Sequence, residues 1–236
     1  MKATASTLQD STYARLRQWV TVGRFLPGER LKIHDIAQQL GVGVMPVRAA
    51  LQRLAAEGAL VNVPHAGMLV PRLSAAEFDD VLQMRLLLEG EAAQRGAHRL
   101  DAAGVAELAA LEQQMAQGLA AGDAKAYLDA NELFHVRLYQ AAASPTLMSL
   151  IETVWLKVGP LSNRLFEAEG ASAVLNEAHG EVMSALQRRD SAGVRRAIEK
   201  DLFVAGQFLQ QVVAQAPAPE HGQTAAQPGG RRVGRA

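Results

Sequence analysis

PGERLKIHDIAQQLGVGVMPVRAALQRLAAEGALVNVPHAGMLVP, residues 27–71, is the stretch on which the reading of this chain turns. Pro27-Gly28 breaks whatever precedes it. In residues 33–40 the apolar Ile36, Ala37 and Leu40 fall on one face of a short helix. Gly41 ends that helix and turns the chain into a second one, residues 44–57, where Val47, Leu51 and Leu54 recur at i, i+4 and i+7. Gly58 stops it. Two short strands, 60–63 and 68–71, flank His65-Ala66-Gly67, a hairpin tip whose glycine suits a tight turn. Upstream, residues 8–22 carry Tyr13, Leu16, Trp19 and Val20 at helical spacing. Helix, helix, glycine turn, helix and hairpin is the outline of a winged helix-turn-helix, expected over residues 1–73.

Working outward, Ser74-Ala-Ala-Glu77 reads as a capping box that starts a new helix directly after the hairpin. Beyond it the periodicity is helical, at 75–98, 102–120, 124–143, 146–167, 172–189 and 191–214, with breaks at Asp101, Gly122-Asp123, Ser144-Pro145, Gly170 and Asp190. The expected fold is mainly α: an N-terminal winged helix-turn-helix plus a C-terminal antiparallel bundle of about six helices over 74–214. The Pro-, Gly- and Gln-rich residues 215–236 have no apolar period and are expected to be disordered.

Composition agrees with this division. Hydrophobic residues make up 49% of the 236 and aromatics only 5%, so the core must be aliphatic, which favours helices. The chain has no cysteine, which excludes a disulfide scaffold and a cysteine zinc site and fits a cytoplasmic location. The N-terminus lacks an apolar signal core, and no run approaches the ~18 apolar residues of a membrane span. Formal net charge is +0, yet it is unevenly spread. Residues 1–73 carry nine Lys/Arg against four Asp/Glu, residues 74–216 twelve against nineteen, and the remainder three against one. A basic front and an acidic back point only the front toward phosphate.

With Val47, Leu51 and Leu54 inward, the outward face of residues 44–57 comprises Val44, Met45, Arg48 and Gln52. A helix-turn-helix lays the start of this helix in the major groove. Arg48 there can donate two hydrogen bonds to guanine O6 and N7, and Gln52 can read adenine or touch a phosphate. Amide groups at the helix start favour a phosphate as well.

The motif Pro27-Gly28-Glu29-Arg30-Leu31, Ile36-Ala37-Gln38-Gln39-Leu40-Gly41-Val42, Pro46-Val47-Arg48-Ala49-Ala50-Leu51 and Leu54-Ala55-Ala56-Glu57-Gly58 resembles the GntR family of bacterial regulators. The resemblance implies wing-tip contacts in the minor groove from His65 and Gly67, and adds His34, near the start of the first helix of the motif. Two positions depart from the family's usual pattern. Its common Ser-Arg before the proline is Gly43-Val44 here, which removes an arginine that often reads guanine. The glutamate after the motif arginine is Ala49. Val44 is left to pack on a thymine methyl instead.

In the helical part, Asn131 and His135 stand at i, i+4 and share a helix face; His179 and Asp201 follow on later helices. Imidazole nitrogen with amide or carboxylate oxygen suits a divalent ion such as Zn²⁺, Ni²⁺ or Mn²⁺. Spacing equally allows hydrogen-bonded or half-exposed histidines. The landmarks Arg85-x-x-Leu88-Glu89, Asn131-x-x-Phe134-His135 and Glu177-Ala178-His179 resemble the FCD (FadR C-terminal) domain. That resemblance implies a metal held by Asn131, His135, His179 and Asp201, the last standing where histidine is more usual. It also implies that Arg85 clamps a carboxylate effector, although spacing alone allows a surface ion pair with Glu89. Lys157 and Asn163 are added to the cavity lining. The expected protein is a homodimer on a near-palindromic double-stranded operator, a repressor released by a small organic acid, with activation left open. Two other readings stay open on sequence: a metal-dependent hydrolase using the histidine cluster, and a bundle that serves only to dimerise.

Overall fold

The computed structural model of the chain describes residues 7–64, 67–167 and 176–215. Helix α1 (Leu8–Thr21) starts on a capping box in which the Thr7 hydroxyl accepts from the Asp10 amide at 3.1 Å. Helices α2 (Ile33–Leu40) and α3 (Val44–Ala56) follow. Between them Gly41 adopts a left-handed φ of 65°, the conformation that closes α2 and lets the chain turn within three residues. Tyr13 fastens α1 to α3: its hydroxyl donates to Glu57, and the Arg53 guanidinium lies 3.6 Å above its ring. Leu16, Val20, Val47, Leu51 and Leu54 are fully or almost fully buried and fill the space between the three helices.

The wing is an antiparallel pair, β1 (Val61–Val63) and β2 (Gly67–Leu69), in the register Val61 with Leu69 and Val63 with Gly67. The segment around Arg30 adds a third edge. Leu31 donates to the Met68 carbonyl at 2.9 Å, Val70 to Glu29 at 3.0 Å, and Arg30 bridges to Leu69. β2 stops at Leu69 rather than running to Pro71: the Val70 amide and carbonyl bond Glu29 and Gly28 instead, and Pro71 brings no N–H.

The remainder is helical: α4 (Ala75–Arg99), α5 (Ala102–Ala121), α6 (Ala124–Gln140), α7 (Pro145–Val158), α8 (Glu177–Gln187) and α9 (Ser191–Gln215). The Ser74–Glu77 capping box forms as expected. One long helix over 146–167 does not form. α7 ends at Val158, and a 3-10 stretch, Gly159–Glu167, continues it, since Pro160 cannot donate into the α-helical ladder. Residue 215, expected in the tail, is the last of α9; the rest of the expected tail, residues 216–236, lies outside the described residues. The expected start of a helix near 172 also lies outside them.

Two hydrophobic clusters result, one in the bundle around Phe78, Phe134, Leu138 and Ile198, the other among α1–α3 and the wing. They meet along one seam. Leu156 belongs to α7, yet it is buried among the residues of α1–α3. A Cβ on Gly159 would stand 2.4 Å from the Val20 carbonyl oxygen and 2.7 Å from the Thr21 Cα, so only glycine lets the 3-10 stretch lie against the end of α1. Arg17 pairs with Glu152 at 3.0 Å, and Gln18 donates to Glu132 at 3.4 Å, along the same seam.

Candidate functional site

The groove-facing surface is set by what α3 buries. Because Val47, Ala50, Leu51 and Leu54 point inward, Arg48 and Gln52 are exposed, and Met45 is 70% exposed. An apolar side chain standing free at the start of this helix can make apolar contact with a base edge such as a thymine methyl. Gly43 caps α3 without a side-chain bond, so the amides of Val44 and Met45 are not covered by a capping side chain; Pro46 supplies none. His34 is exposed on α2, and Gly67 is exposed at the wing with φ 81°. His65 lies outside the described residues.

Inside the bundle a second group of polar side chains meets. α6 carries Asn131, His135 and Tyr139 one turn apart, α8 carries His179 and α9 carries Asp201. His179 is 0% exposed and His135 4%. Their Nε2 atoms lie 3.3 Å apart; Asp201 Oδ2 is 3.4 Å from His135 Nε2, and its Oδ1 is 4.0 Å from His179 Nδ1. Ligand atoms from the three side chains all fall within 4.8 Å of one another. Two nitrogens each ~2.0–2.1 Å from one tetrahedral zinc ion stand roughly 3.3–3.4 Å apart, so the histidine spacing fits a shared ion. The donor set fits too, being two imidazoles with one carboxylate. Burial would raise the Asp201 carboxyl, but His179, His135 and Arg85 outweigh it and hold it below the usual carboxylate range. The Phe134 ring closes the group from one side, with centroids 5.8 Å from His135 and 5.1 Å from His179.

Beside this group is a cavity of about 60 Å³ lined by Arg85, Asn131, His135, Glu132, Trp155 and Val158 from the bundle, together with Thr21 and Val22 at the end of α1. That is several times the ~10–15 Å³ one water requires, and far too little for a long acyl chain. Arg85 is not the surface ion pair that spacing allows. It is 17% exposed and grips Glu89, which is 1% exposed, through Nε at 2.6 Å and Nη2 at 3.4 Å. Burial would lower the guanidinium, but Glu89 outweighs it, so Arg85 keeps its charge at the cavity wall.

Comparison with known proteins agrees with both halves. Residues 8–70 match the bacterial regulatory proteins of the gntR family, and residues 80–202, just over half the chain, match the FCD domain. The chain is a GntR-family regulator with an FCD domain. It is 30% identical over 216 residues to the HTH-type transcriptional regulator McbR of Escherichia coli K12, spanning 91% of this chain and 94% of that protein. The solved structure of E. coli McbR/YncC superposes with a TM-score of 0.76 at 28% identity, covering 88% of this chain and 96% of that one. The HTH-type transcriptional repressor RspR of E. coli K12 is 27% identical over 203 residues, 85% of this chain and 88% of that one. Among the described residues no helix is long and apolar enough to cross a membrane.

Of the residues singled out in the FCD part, the fold brings His135, His179 and Asp201 together and places Asn131 and Arg85 on the wall of the adjoining cavity. Lys157 is not with them. It lines a separate crevice with Arg72, Glu77, Asp80 and Met84, because Trp155 and Val158 are the residues of α7 that face the cavity and Lys157 lies roughly 100° around the helix from Val158. The side chain of Asn163 lies outside the described residues. Sequence reading singled out none of Tyr139, Trp155, Thr21 and Val22 as site residues. Tyr139 had a usable signal, its position one turn beyond His135, whereas Thr21 and Val22 come to the cavity only through the seam between the clusters.

Proposed function

We propose that this GntR-family regulator binds DNA through α3 and the wing as a homodimer on a near-palindromic operator, and that a small carboxylate metabolite releases it. Its FCD domain holds a divalent metal ion through His135, His179 and Asp201, with Asn131 from the cavity wall, and Arg85 draws the carboxylate of the metabolite alongside. With those four ligands, an ion of five or six coordination would have a further position for one carboxylate oxygen. The observation that carries this reading is the cavity that combines the charged Arg85, His135 of the two-histidine and aspartate group, and the end of α1 in one wall.

Coupling follows from that wall. A ligand filling the cavity presses on Thr21 and Val22, and α1 is fastened to α3 through Tyr13, Arg53 and Glu57. A change in the set of α1 therefore reorients the reading helix, and coupling of this type is worth ~1–3 kcal/mol. Repression rather than activation is supported by RspR, a relative named as a repressor. The hydrolase reading loses to regulation because the matching relatives carry regulator names.

The test is DNA binding by the full chain, read as fluorescence anisotropy of duplexes from its own upstream region, with small organic acids added with and without Zn²⁺, Ni²⁺ or Mn²⁺. At least one acid should weaken DNA binding 5- to 150-fold. Arg85→Ala should abolish that response, and His179→Ala should abolish metal retention after dialysis. If wild-type protein retains no ion and no acid alters its DNA affinity, effector sensing is wrong and the bundle serves to dimerise.

A further inference from the structure

Tyr139 is 2% exposed, and its hydroxyl lies between two partners, 2.8 Å from His135 Nδ1 and 3.0 Å from Glu89 Oε2. Glu89 accepts from the Arg85 guanidinium on both of its oxygens, so the Tyr139 hydroxyl is the donor in their contact. The single O–H of Tyr139 therefore points at Glu89. A phenol is protonated at neutral pH, so Tyr139 keeps that proton. The phenolic oxygen then offers His135 only lone pairs, and Nδ1 must be the protonated nitrogen of the ring. This leaves the lone pair of a neutral imidazole on Nε2, the atom that faces His179 and Asp201.

We propose that Tyr139 is a positioning residue for the metal centre: with Arg85 and Glu89 behind it, it fixes His135 in the Nδ1–H form and aims Nε2 at the ion. The assignment rests on the metal reading above and extends it from the ligands to the buried chain that orients one of them. Such outer partners set tautomer and ring orientation, and their loss costs 10–100-fold in metal affinity. Without Tyr139, Asp201 at 3.4 Å would draw the proton to Nε2 and block the donor. The same chain ties the cavity arginine to the metal ligand in three contacts.

The experiment uses Tyr139→Phe in the full chain, which keeps the ring packed 6.0 Å from Trp155 and removes only the hydroxyl. Zn²⁺, Ni²⁺ and Mn²⁺ are each titrated alone against a competing chelator by calorimetry. Long-range ¹⁵N–¹H spectra of the metal-free protein, at mildly alkaline pH, read the His135 tautomer. The expected results are Nδ1–H in wild type, a move toward Nε2–H in Tyr139→Phe, and affinity 10–100-fold weaker. Leu138→Ala, buried on the same helix but outside the chain, should lose stability while keeping wild-type metal affinity. Equal weakening in both variants would make the effect merely structural and overturn the assignment. Wild-type His135 found as Nε2–H overturns it directly, even where Tyr139→Phe does not fold. If wild type binds none of the three ions, the metal reading fails and the assignment with it; if wild type binds and Tyr139→Phe binds equally well, only the assignment fails.

Discussion

The reading face of α3 and the polar group inside the bundle handle their functional side chains in opposite ways. On α3 the backbone and the buried stripe do all the positioning, and Met45, Arg48 and Gln52 stand out in solvent. In the bundle His135, His179, Glu89 and Tyr139 are buried, and each is held by another polar group. A solvated side chain costs the fold little, so it is free to change with the operator. A buried one must be matched within the protein, because an unpaired polar atom there costs about 1–3 kcal/mol. Substitutions of the exposed α3 side chains should accordingly separate binding from stability, while substitutions within the buried polar group should move both.

The largest effect is expected where the two regions share a residue. Leu156 sits on α7, a bundle helix, but its side chain is 2% exposed among the residues of α1–α3. Leu156→Ala should destabilise by about 2–5 kcal/mol, and chemical denaturation in a Trp155→Phe background, which leaves Trp19 as the only tryptophan, reports it where it acts. A loss confined to the bundle, with the signal of Trp19 unchanged, would mean that the two clusters fold independently of the seam.

Arg48→Ala should do the reverse. It should weaken operator binding by about 1–3 kcal/mol and relax base preference at one position, with thermal stability close to wild type. Equal weakening on every duplex, with a shallower salt dependence, would reassign Arg48 from a base to a phosphate contact.

How far each region could be read from sequence follows from the same contrast. The stripe Val47, Leu51, Leu54 declares which face of α3 is free, so the exposure of Arg48 and Gln52 is legible from periodicity, while their expected role comes from the surrounding motif. Asn131 and His135 were visible for a similar reason, being one turn apart. Arg85 and Glu89 were visible as a pair, but spacing cannot tell a surface pair from one that is buried, and burial is what places Arg85 at a cavity wall. Lys157 was misplaced because proximity in sequence to Trp155 says nothing about which way a helix is rotated. Thr21 and Val22 were out of reach, since their role depends on Gly159 allowing the 3-10 stretch to lie against α1. The break of α7 at Gly159-Pro160 is legible in the sequence, since proline cannot donate into the α-helical ladder.

The smallest effect tests the seam by pH. Glu132 lines the cavity and accepts from Gln18 of α1. Burial raises its carboxyl above the usual value; the Gln18 bond opposes this, Asp129 adds to it and Arg17 opposes it. A carboxyl raised on folding binds its proton more tightly in the folded state, so stability falls as pH rises through the raised value, and the charged form carries a cost at neutral pH. Glu132→Gln removes that cost. The variant should be more stable than wild type at pH 7 by about 0.5 kcal/mol or less, and the gain should vanish as pH falls to about 4, where wild type is protonated as well. Urea denaturation of both proteins at the two pH values reads the difference. A variant less stable than wild type at pH 7 would show that the charged bond to Gln18 outweighs burial, and that the seam is held together by the carboxylate it was expected to tolerate.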